Sequence, residues 1–171
     1  MKKYKTYKNF ITDKEADLLC KWIDNNINFF QDAAMGGKRL TSRFSDTVIY
    51  PDLAFNIQNR IIKKLKLKDY LMTEYKDGMV ASCAYPGDHC YLHRDPVYQE
   101  GYQTLHCNIL LSDIKGGEPF VLKNPVEEEI IKVSKKDMWT YIVSDIFHGS
   151  KLLIENERKM WVFGFCVKNN V

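Results

Sequence analysis

The first third of the chain carries apolar residues at helical spacing. Thr12-Asp13-Lys14-Glu15 has the form of a capping box, in which Thr12 is the N-cap and Glu15 reaches back to it. Beyond this box, apolar positions recur on one helical face, at Ala16, Leu19, Ile23, Ile27 and Phe30. The spacing predicts an amphipathic helix that ends before Gly36-Gly37.

A second helix is predicted to begin at Pro51-Asp52, which ends an extended stretch over residues 41–50. Its apolar face is formed by Leu53, Ile57, Ile61 and Leu65. Each helix is apolar on one face only, so each must pack against another element. We therefore expect a helical buttress at about residues 12–68 that covers one face of a sheet.

From Tyr70 onward the pattern changes to short apolar runs separated by turn residues such as Asp77-Gly78 and Pro86-Gly87-Asp88. The runs predict strands at residues 71–75, 79–85, 91–94, 104–112, 120–123, 129–133, 138–143, 151–154 and 161–168. Many short strands at near-regular spacing are typical of a sandwich or jelly roll. The predicted fold class is α+β, a jelly-roll core at about residues 70–168 within a single domain spanning residues 1–171.

Composition and charge limit the classes of function that are expected for this chain. The chain has 171 residues, 45% hydrophobic and 27% charged, an ordinary globular balance. Its net charge of +3 is too small to indicate a nucleic-acid partner. Residues 1–10 lack the apolar region of a signal peptide, no run approaches the ~18 apolar residues of a membrane span, and the five cysteines form no C-x-x-C pair. We expect a soluble, cytoplasmic protein with reduced thiols and no membrane contact.

His93-Arg94-Asp95 is the first candidate for chemistry. In an extended segment the side chains of His93 and Asp95 lie on one face, where an imidazole and a carboxylate can bind one metal ion. Pro96 cannot donate a ladder hydrogen bond, so the strand should end there. His148 follows after about five short strands, enough for a jelly roll to return beside its start. Two histidines and a carboxylate leave coordination positions open, as in non-haem Fe(II) oxygenases.

Other polar residues can be explained without a role as metal ligands or catalytic groups. His89 and His93 have zinc-helix spacing, but Pro86-Gly87 and Pro96 argue against a helix there. His106 is expected to be a hydrogen-bonded histidine inside the barrel. Asp145, His148 and Ser150 suggest a hydrolytic triad, but no nucleophile turn accompanies them. Arg39 and Arg43 precede the barrel and are expected to be surface charges, with substrate contact as the alternative. Residues 98–102 are expected to form a flexible loop of the kind that closes on a substrate.

Four segments together resemble the Fe(II)/2-oxoglutarate-dependent dioxygenases, nearest their prolyl-hydroxylase-like branch. Residues 9–17 are similar to the opening segment of that branch. Tyr85-Pro86-Gly87-Asp88, ahead of the H-x-D pair, is similar to its entry into the metal-binding strand. Gly116-Gly117-Glu118-Pro119-Phe120 resembles its glycine pair, and His148 followed ten residues later by Arg158 resembles its distal histidine and basic anchor.

The resemblance implies a double-stranded β-helix and a set of roles. His93, Asp95 and His148 would hold Fe(II) as the catalytic centre, and Arg158 would bind the distal carboxylate of 2-oxoglutarate. A buried carboxylate needs a charged partner, and arginine offers two parallel hydrogen bonds. Other candidate cosubstrate contacts are Tyr85, Tyr91, Thr104 and His106. O2 would be the second cosubstrate, and ascorbate is a further candidate cofactor.

The implied reaction is hydroxylation of a C–H bond in an amino acid, a peptidyl residue or a small metabolite, with release of succinate and CO2. Desaturation and ring formation are alternative outcomes of the same chemistry, and a dimer is one open oligomeric state. Two non-enzymatic alternatives stay open: a cupin-type module of the same fold that binds metal or ligand, and an inactive interaction domain.

Overall fold

The computed structural model describes residues 3–33, 39–43, 45 and 47–168. Two α-helices lie before most of the strands, α1 at Asp13–Asn26 and α2 at Asp52–Leu65. The strands are β1 Tyr4–Tyr7, β2 Gln31–Asp32, β3 Leu40–Thr41, β4 Leu71–Met72, β5 Met79–Ala84, β6 Cys90–His93, β7 Tyr102–Leu110, β8 Lys115–Gly116, β9 Pro119–Asn124, β10 Glu127–Ile130, β11 Met138–Ile142, β12 His148–Ser150, β13 Leu153–Glu155 and β14 Arg158–Lys168.

Two sheets form the core of the described part of the chain. The larger has the order β1-β11-β7-β14-β5-β3-β2, with β4 paired to β14, and the smaller has the order β10-β9-β12-β6. The strand pairs of the described residues are antiparallel, and β13 and β8 form a separate short pair. The long strand β14 lies between β7 and β5, at the centre of the larger sheet.

Alternation along the central strands gives the larger sheet two different faces. On β14, Trp161, Phe163 and Phe165 are fully buried and pack with the helices in one apolar cluster. The intervening residues Met160 and Val162 face a cavity on the other side. The same alternation on β7 and β5 leaves the cavity face free for polar residues, while the helices cover the apolar face.

The helices follow the sequence pattern closely at their starts. Thr12 Oγ1 accepts from Glu15 N at 3.2 Å and Thr12 N donates to Glu15 Oε2 at 2.8 Å, which confirms the capping box. Helix α2 begins at Asp52 after Pro51, as predicted. Helix α1 ends at Asn26, earlier than predicted, because the chain turns through a 3-10 segment at Ile27–Phe29 and Phe30 is extended. The expected end at Gly36-Gly37 lies outside the described residues.

Several short strands were not predicted. Strand β1 was missed although it pairs with β11 over four residues, from Tyr4↔Tyr141 to Tyr7↔Met138. Strand β12, which begins at His148, was also missed, and it pairs on both sides with β6 and β9. The predicted strand at residues 71–75 is reduced to Leu71–Met72. All five cysteines are free thiols, and no helix among the described residues is long and apolar enough to cross a membrane.

Candidate metal centre and cosubstrate cavity

The pairing of β6 with β12 brings two histidines together. His148 and His93 are directly opposite each other in the antiparallel register, and their ring centroids lie 4.3 Å apart. Asp95 follows β6, where its backbone N–H donates to Val143 O at 3.1 Å. The atoms that His93, Asp95 and His148 offer to a metal all lie within 4.8 Å of one another. Three residues distant in sequence thus converge at one point.

Backbone carbonyls fix the orientation of both imidazoles. His93 donates from Nδ1 to Tyr91 O at 2.8 Å, and His148 donates from Nδ1 to Ile146 O at 3.0 Å. The Nε2 atoms are therefore directed toward Asp95, whose carboxylate lies 3.3 Å from His93 Nε2 and 3.9 Å from His148 Nε2. A hydrogen bond at one ring nitrogen is how proteins orient the other toward a metal.

The electrostatics of the site also fit a divalent metal. Burial raises the pKa of Asp95, but its hydrogen bond with His93 and the charges of the nearby histidines lower it to about 2. Burial lowers the pKa of His93, but hydrogen bonds with Asp95 and Cys90 raise it to about 10. Burial lowers the pKa of His148. A divalent cation held by these three residues would balance the charge of the Asp95 carboxylate and would bind His93 in its neutral form.

His106, expected from the sequence as a histidine inside the barrel and a candidate contact of the cosubstrate, is a buried neighbour of the metal-site residue Asp95. Its Nδ1 lies 3.5 Å from Asp95 Oδ2, and its Nε2 lies 3.4 Å from Tyr75 Oη. Burial lowers the pKa of His106 to about 4, so the ring is neutral. The available signal was alternation along β7, which puts His106 and Asn108 on the face opposite the helices.

A cavity of about 140 Å³ extends from the three residues between the two sheets. It is lined by Ala33, Arg39, Thr41, Arg43, Tyr75, Val80, Ser82, Cys90, His93, Asp95, His106, Asn108, Pro119, Trp139, Tyr141, His148, Gly149, Ser150, Arg158, Met160 and Val162. The larger sheet contributes more of these residues than the smaller sheet does.

Arg158 is the buried cation of this cavity. It is 4% exposed at the start of β14, and it donates from Nη1 to Gly117 O at 2.7 Å. Burial lowers its pKa, with Arg39 contributing in the same direction and Asp88 opposing. Gly116 and Gly117 have positive φ angles of 74° and 70°. A Cβ on Gly116 would lie 2.4 Å from Leu152 O, so this glycine lets the chain pass close beside Leu152, while Gly117 next to it contacts Arg158.

Compared by sequence, the chain matches no protein-family model and no curated protein. Compared by structure, it is similar to the viral collagen prolyl hydroxylase of Paramecium bursaria Chlorella virus-1 in its 2-oxoglutarate complex, with a TM-score of 0.72, 15% identity and 97% of each chain covered. HygX from Streptomyces hygroscopicus, with nickel and 2-oxoglutarate bound, gives a TM-score of 0.74 at 11% identity, covering 96% of this chain and 83% of HygX. A Trichoplax adhaerens prolyl hydroxylase, in complex with a hypoxia-inducible-factor peptide, gives 0.69 at 12% identity, covering 97% and 84%.

The chain has the fold of the 2-oxoglutarate–Fe(II) oxygenases. The predicted α+β class with a double-stranded β-helix core is confirmed, and so is the suspected resemblance to the prolyl-hydroxylase-like branch at the level of the fold. At identities of 11–15% the likeness establishes the fold, so the chemistry has to be argued from the site.

Three other residues that were predicted to contact the cosubstrate lie outside the cavity of this oxygenase fold. Tyr85 is half-buried and packs on the helix-covered cluster. Tyr91 is 57% exposed, with its ring 4.6 Å from that of His89. Thr104 is buried, but its hydroxyl donates to Pro96 O at 3.1 Å. None of the three is among the cavity-lining residues, whereas Tyr141 is.

The two arginines that were expected to be surface charges lie at the cavity instead. Both Arg39 and Arg43 line the cavity. Arg43 pairs with Glu74 at 2.5 Å, and its guanidinium lies 5.0 Å from the centre of the Tyr75 ring. Strand β3, between the two arginines, is hydrogen-bonded to β5 and so carries them to the edge of the cavity.

Proposed function

We propose that this chain is an Fe(II)- and 2-oxoglutarate-dependent oxygenase that hydroxylates a C–H bond of an amino acid, a peptidyl residue or a small metabolite, releasing succinate and CO2. The observation that carries the proposal is the convergence of His93, Asp95 and His148 on one cavity that also contains buried Arg158. A metal-binding module without catalysis would need the first three residues but not the buried cation.

His93, Asp95 and His148 would hold Fe(II) through two imidazole nitrogens and one carboxylate. Bound there with 2-oxoglutarate, Fe(II) supplies the oxidising chemistry that O2 alone cannot perform on a C–H bond. The chain's own task is orientation: the carbonyls of Tyr91 and Ile146 fix the two rings, and His106 contacts the carboxylate. Three protein ligands leave positions for the cosubstrates.

Arg158 would bind the distal carboxylate of 2-oxoglutarate. Its guanidinium is 4% exposed, and Nη1 is held by Gly117 O, so the charge has little water to screen it. A carboxylate meeting such a group gains a charge-assisted and directional contact. We propose Tyr141, rather than Tyr85 or Tyr91, as the hydroxyl donor to the cosubstrate, because it lines the cavity and burial raises its pKa.

Ligands bound to other proteins of this fold support the proposed substrate classes. The Trichoplax protein is in complex with a peptide, and HygX has also been solved with hygromycin B bound. Both a peptidyl residue and a small metabolite are therefore compatible with a cavity on this fold. The low net charge of the chain gives no support to a nucleic-acid substrate.

The test measures 2-oxoglutarate turnover and metal binding together. Purified protein with Fe(II), ascorbate and 2-oxoglutarate is screened for succinate over amino acids, peptides and small metabolites, and Mn(II)-dependent thermal stabilisation is recorded in parallel. Wild type and His89→Ala, a nearby histidine outside the cavity, should form succinate and be stabilised, whereas His148→Ala should do neither. Stabilisation of wild type without succinate under any condition would favour the cupin-type alternative and overturn the oxygenase.

A further inference from the structure

Asp88 is a buried carboxylate close to the proposed cosubstrate anchor. It is 0% exposed, and within the part of the chain that the structure describes its carboxylate pairs with no other side chain, the His89 backbone N–H being the hydrogen-bonding group that acts on it. Two backbone hydrogen bonds hold the residue in place, from Asp88 N to Tyr85 O at 2.9 Å and from Leu153 N to Asp88 O at 2.8 Å. Asp88 is not among the residues that line the cavity.

Two arginines, Arg158 and Arg39, act electrostatically on Asp88. Burial raises the pKa of Asp88, and the charges of Arg158 and Arg39 act in the opposite direction. An ionised Asp88 neutralises one of these cations. Arg158 and Asp88 together therefore carry no net charge, and a second buried carboxylate beside them would lack compensation.

Sheet register places Arg39 in the same row as Arg158. Leu40 is opposite Cys83 in the pairing of β3 with β5, so Arg39, one residue earlier, lies next to Ala84. Ala84 is itself opposite Arg158 in the pairing of β5 with β14. Directly opposed residues share a sheet face, and two strand spacings separate their backbones by about 10 Å. Both side chains extend into the same cavity.

Arg39 also has unused hydrogen-bonding capacity. Its Nε is buried and, among the described residues, has no hydrogen-bond partner. The residue is half-buried and comes from the segment before β3, whereas Arg158 comes from the centre of the sheet. Two guanidiniums that approach one space from different elements can hold a carboxylate between them.

We propose that Arg39 is a second cosubstrate-binding residue, which binds the distal carboxylate of 2-oxoglutarate together with Arg158, and that Asp88 sets the charge of this subsite. The inference rests on the proposed function and adds a residue to its binding site. With Arg39, Arg158 and Asp88 ionised, the subsite has a single net positive charge, which matches one carboxylate. Without Arg39 the subsite is neutral and attracts the distal carboxylate weakly.

The experiment is a double-mutant cycle that removes and restores charge. It measures the binding of 2-oxoglutarate rather than its turnover. Protein loaded with Mn(II), under anaerobic conditions, is titrated with 2-oxoglutarate by calorimetry for wild type, Arg39→Ala, Asp88→Asn and the double variant. We expect Arg39→Ala to weaken 2-oxoglutarate binding about tenfold or more. Asp88→Asn should bind as tightly as wild type or more tightly. The double variant restores the single net charge and should regain most of the loss.

Two further variants serve as controls. Arg39→Lys keeps the charge and should lose only about threefold, so the proposal is still tested if Asp88→Asn fails to fold. Arg43→Ala removes a cation from the same cavity near Tyr75 and should leave 2-oxoglutarate affinity within about twofold, because the ligand is recognised by a local charge.

The outcomes separate this inference from the function on which it rests. Wild-type affinity in Arg39→Ala, or a double variant no better than Arg39→Ala, would overturn the role of Arg39 while Arg158→Ala still weakened binding. Failure of the wild-type Mn(II) protein to bind 2-oxoglutarate at all would overturn both proposals.

Discussion

His106 Nδ1 lies 3.5 Å from Asp95 Oδ2, and this contact joins the larger sheet to the candidate metal centre. His106 is on β7, whereas Asp95 follows the edge strand β6 of the smaller sheet. The neutral ring can donate from Nδ1 to the carboxylate while Nε2 accepts from the Tyr75 hydroxyl at 3.4 Å. One buried imidazole thus lies beside the single anionic residue of the proposed ligand set, where it can orient the carboxylate.

Replacing His106 tests this orienting contact. We expect His106→Leu to weaken Fe(II) or Mn(II) affinity about 10- to 100-fold, because an outer partner of a ligand carboxylate is lost. His106→Asn can place an amide N–H near the position of Nδ1 and should retain most of the affinity. Metal titration by calorimetry measures both variants. Equal metal affinity in His106→Leu and wild type would show that the contact is incidental.

Metal binding should release a proton from His93. In the metal-free protein the pKa of His93 is raised to about 10, so the ring is protonated at neutral pH, whereas His148 has a lowered pKa and Asp95 is already ionised. A metal binds only the neutral imidazole, so its uptake at pH 7–8 should release about one proton. The affinity should consequently rise as pH increases through this range. Calorimetric titration with Mn(II) in buffers of different ionisation enthalpy counts the protons, and a count of zero would contradict the assignment of His93 as a ligand.

Arg158 should affect the cosubstrate without affecting the metal. Arg158→Ala should leave Mn(II) affinity unchanged and sharply raise the apparent KM for 2-oxoglutarate, because breaking a buried charge pair costs roughly 3–5 kcal/mol. Arg158→Lys should recover part of the loss, since it keeps the charge but not the planar fork. Succinate release at saturating Fe(II) is the measurement. Superimposable 2-oxoglutarate curves for all three proteins would assign Arg158 to packing alone.

The glycine beside the cavity wall should be indispensable for packing. Gly116 has φ of 74° and a Cβ there would lie 2.4 Å from Leu152 O, whereas Gly101 has φ of 79° with no atom within 4 Å. Gly101→Ala should therefore cost only the backbone strain of about 1 kcal/mol. Gly116→Ala adds a steric clash with backbone and should cost about 3 kcal/mol or more. Urea unfolding compares the two, and equal losses would mean that β8 and β13 move apart freely.

Local sequence patterns were sufficient for several features of this protein. The capping box at Thr12, the start of α2 after Pro51 and the alternating strands after Tyr70 depend on neighbouring residues, whose chemistry is visible along the chain. His93 and Asp95 share a face for the same reason, since their spacing and Pro96 are local. His148 could be assigned to the site only by counting strands and from the family resemblance, because β6, the strand that pairs with it at the site, lies far from it in the sequence.

Tertiary structure alone decided which further side chains reach the cavity. Tyr85 and Tyr91 lie beside the turn at Pro86-Gly87 and point away from the cavity, while Tyr141 reaches it from β11. Arg39 joins Arg158 because two pairings, β3 with β5 and β5 with β14, align them in one row. Such rows depend on hydrogen-bond register between segments far apart in sequence, and a shift of one residue would turn every side chain to the opposite face.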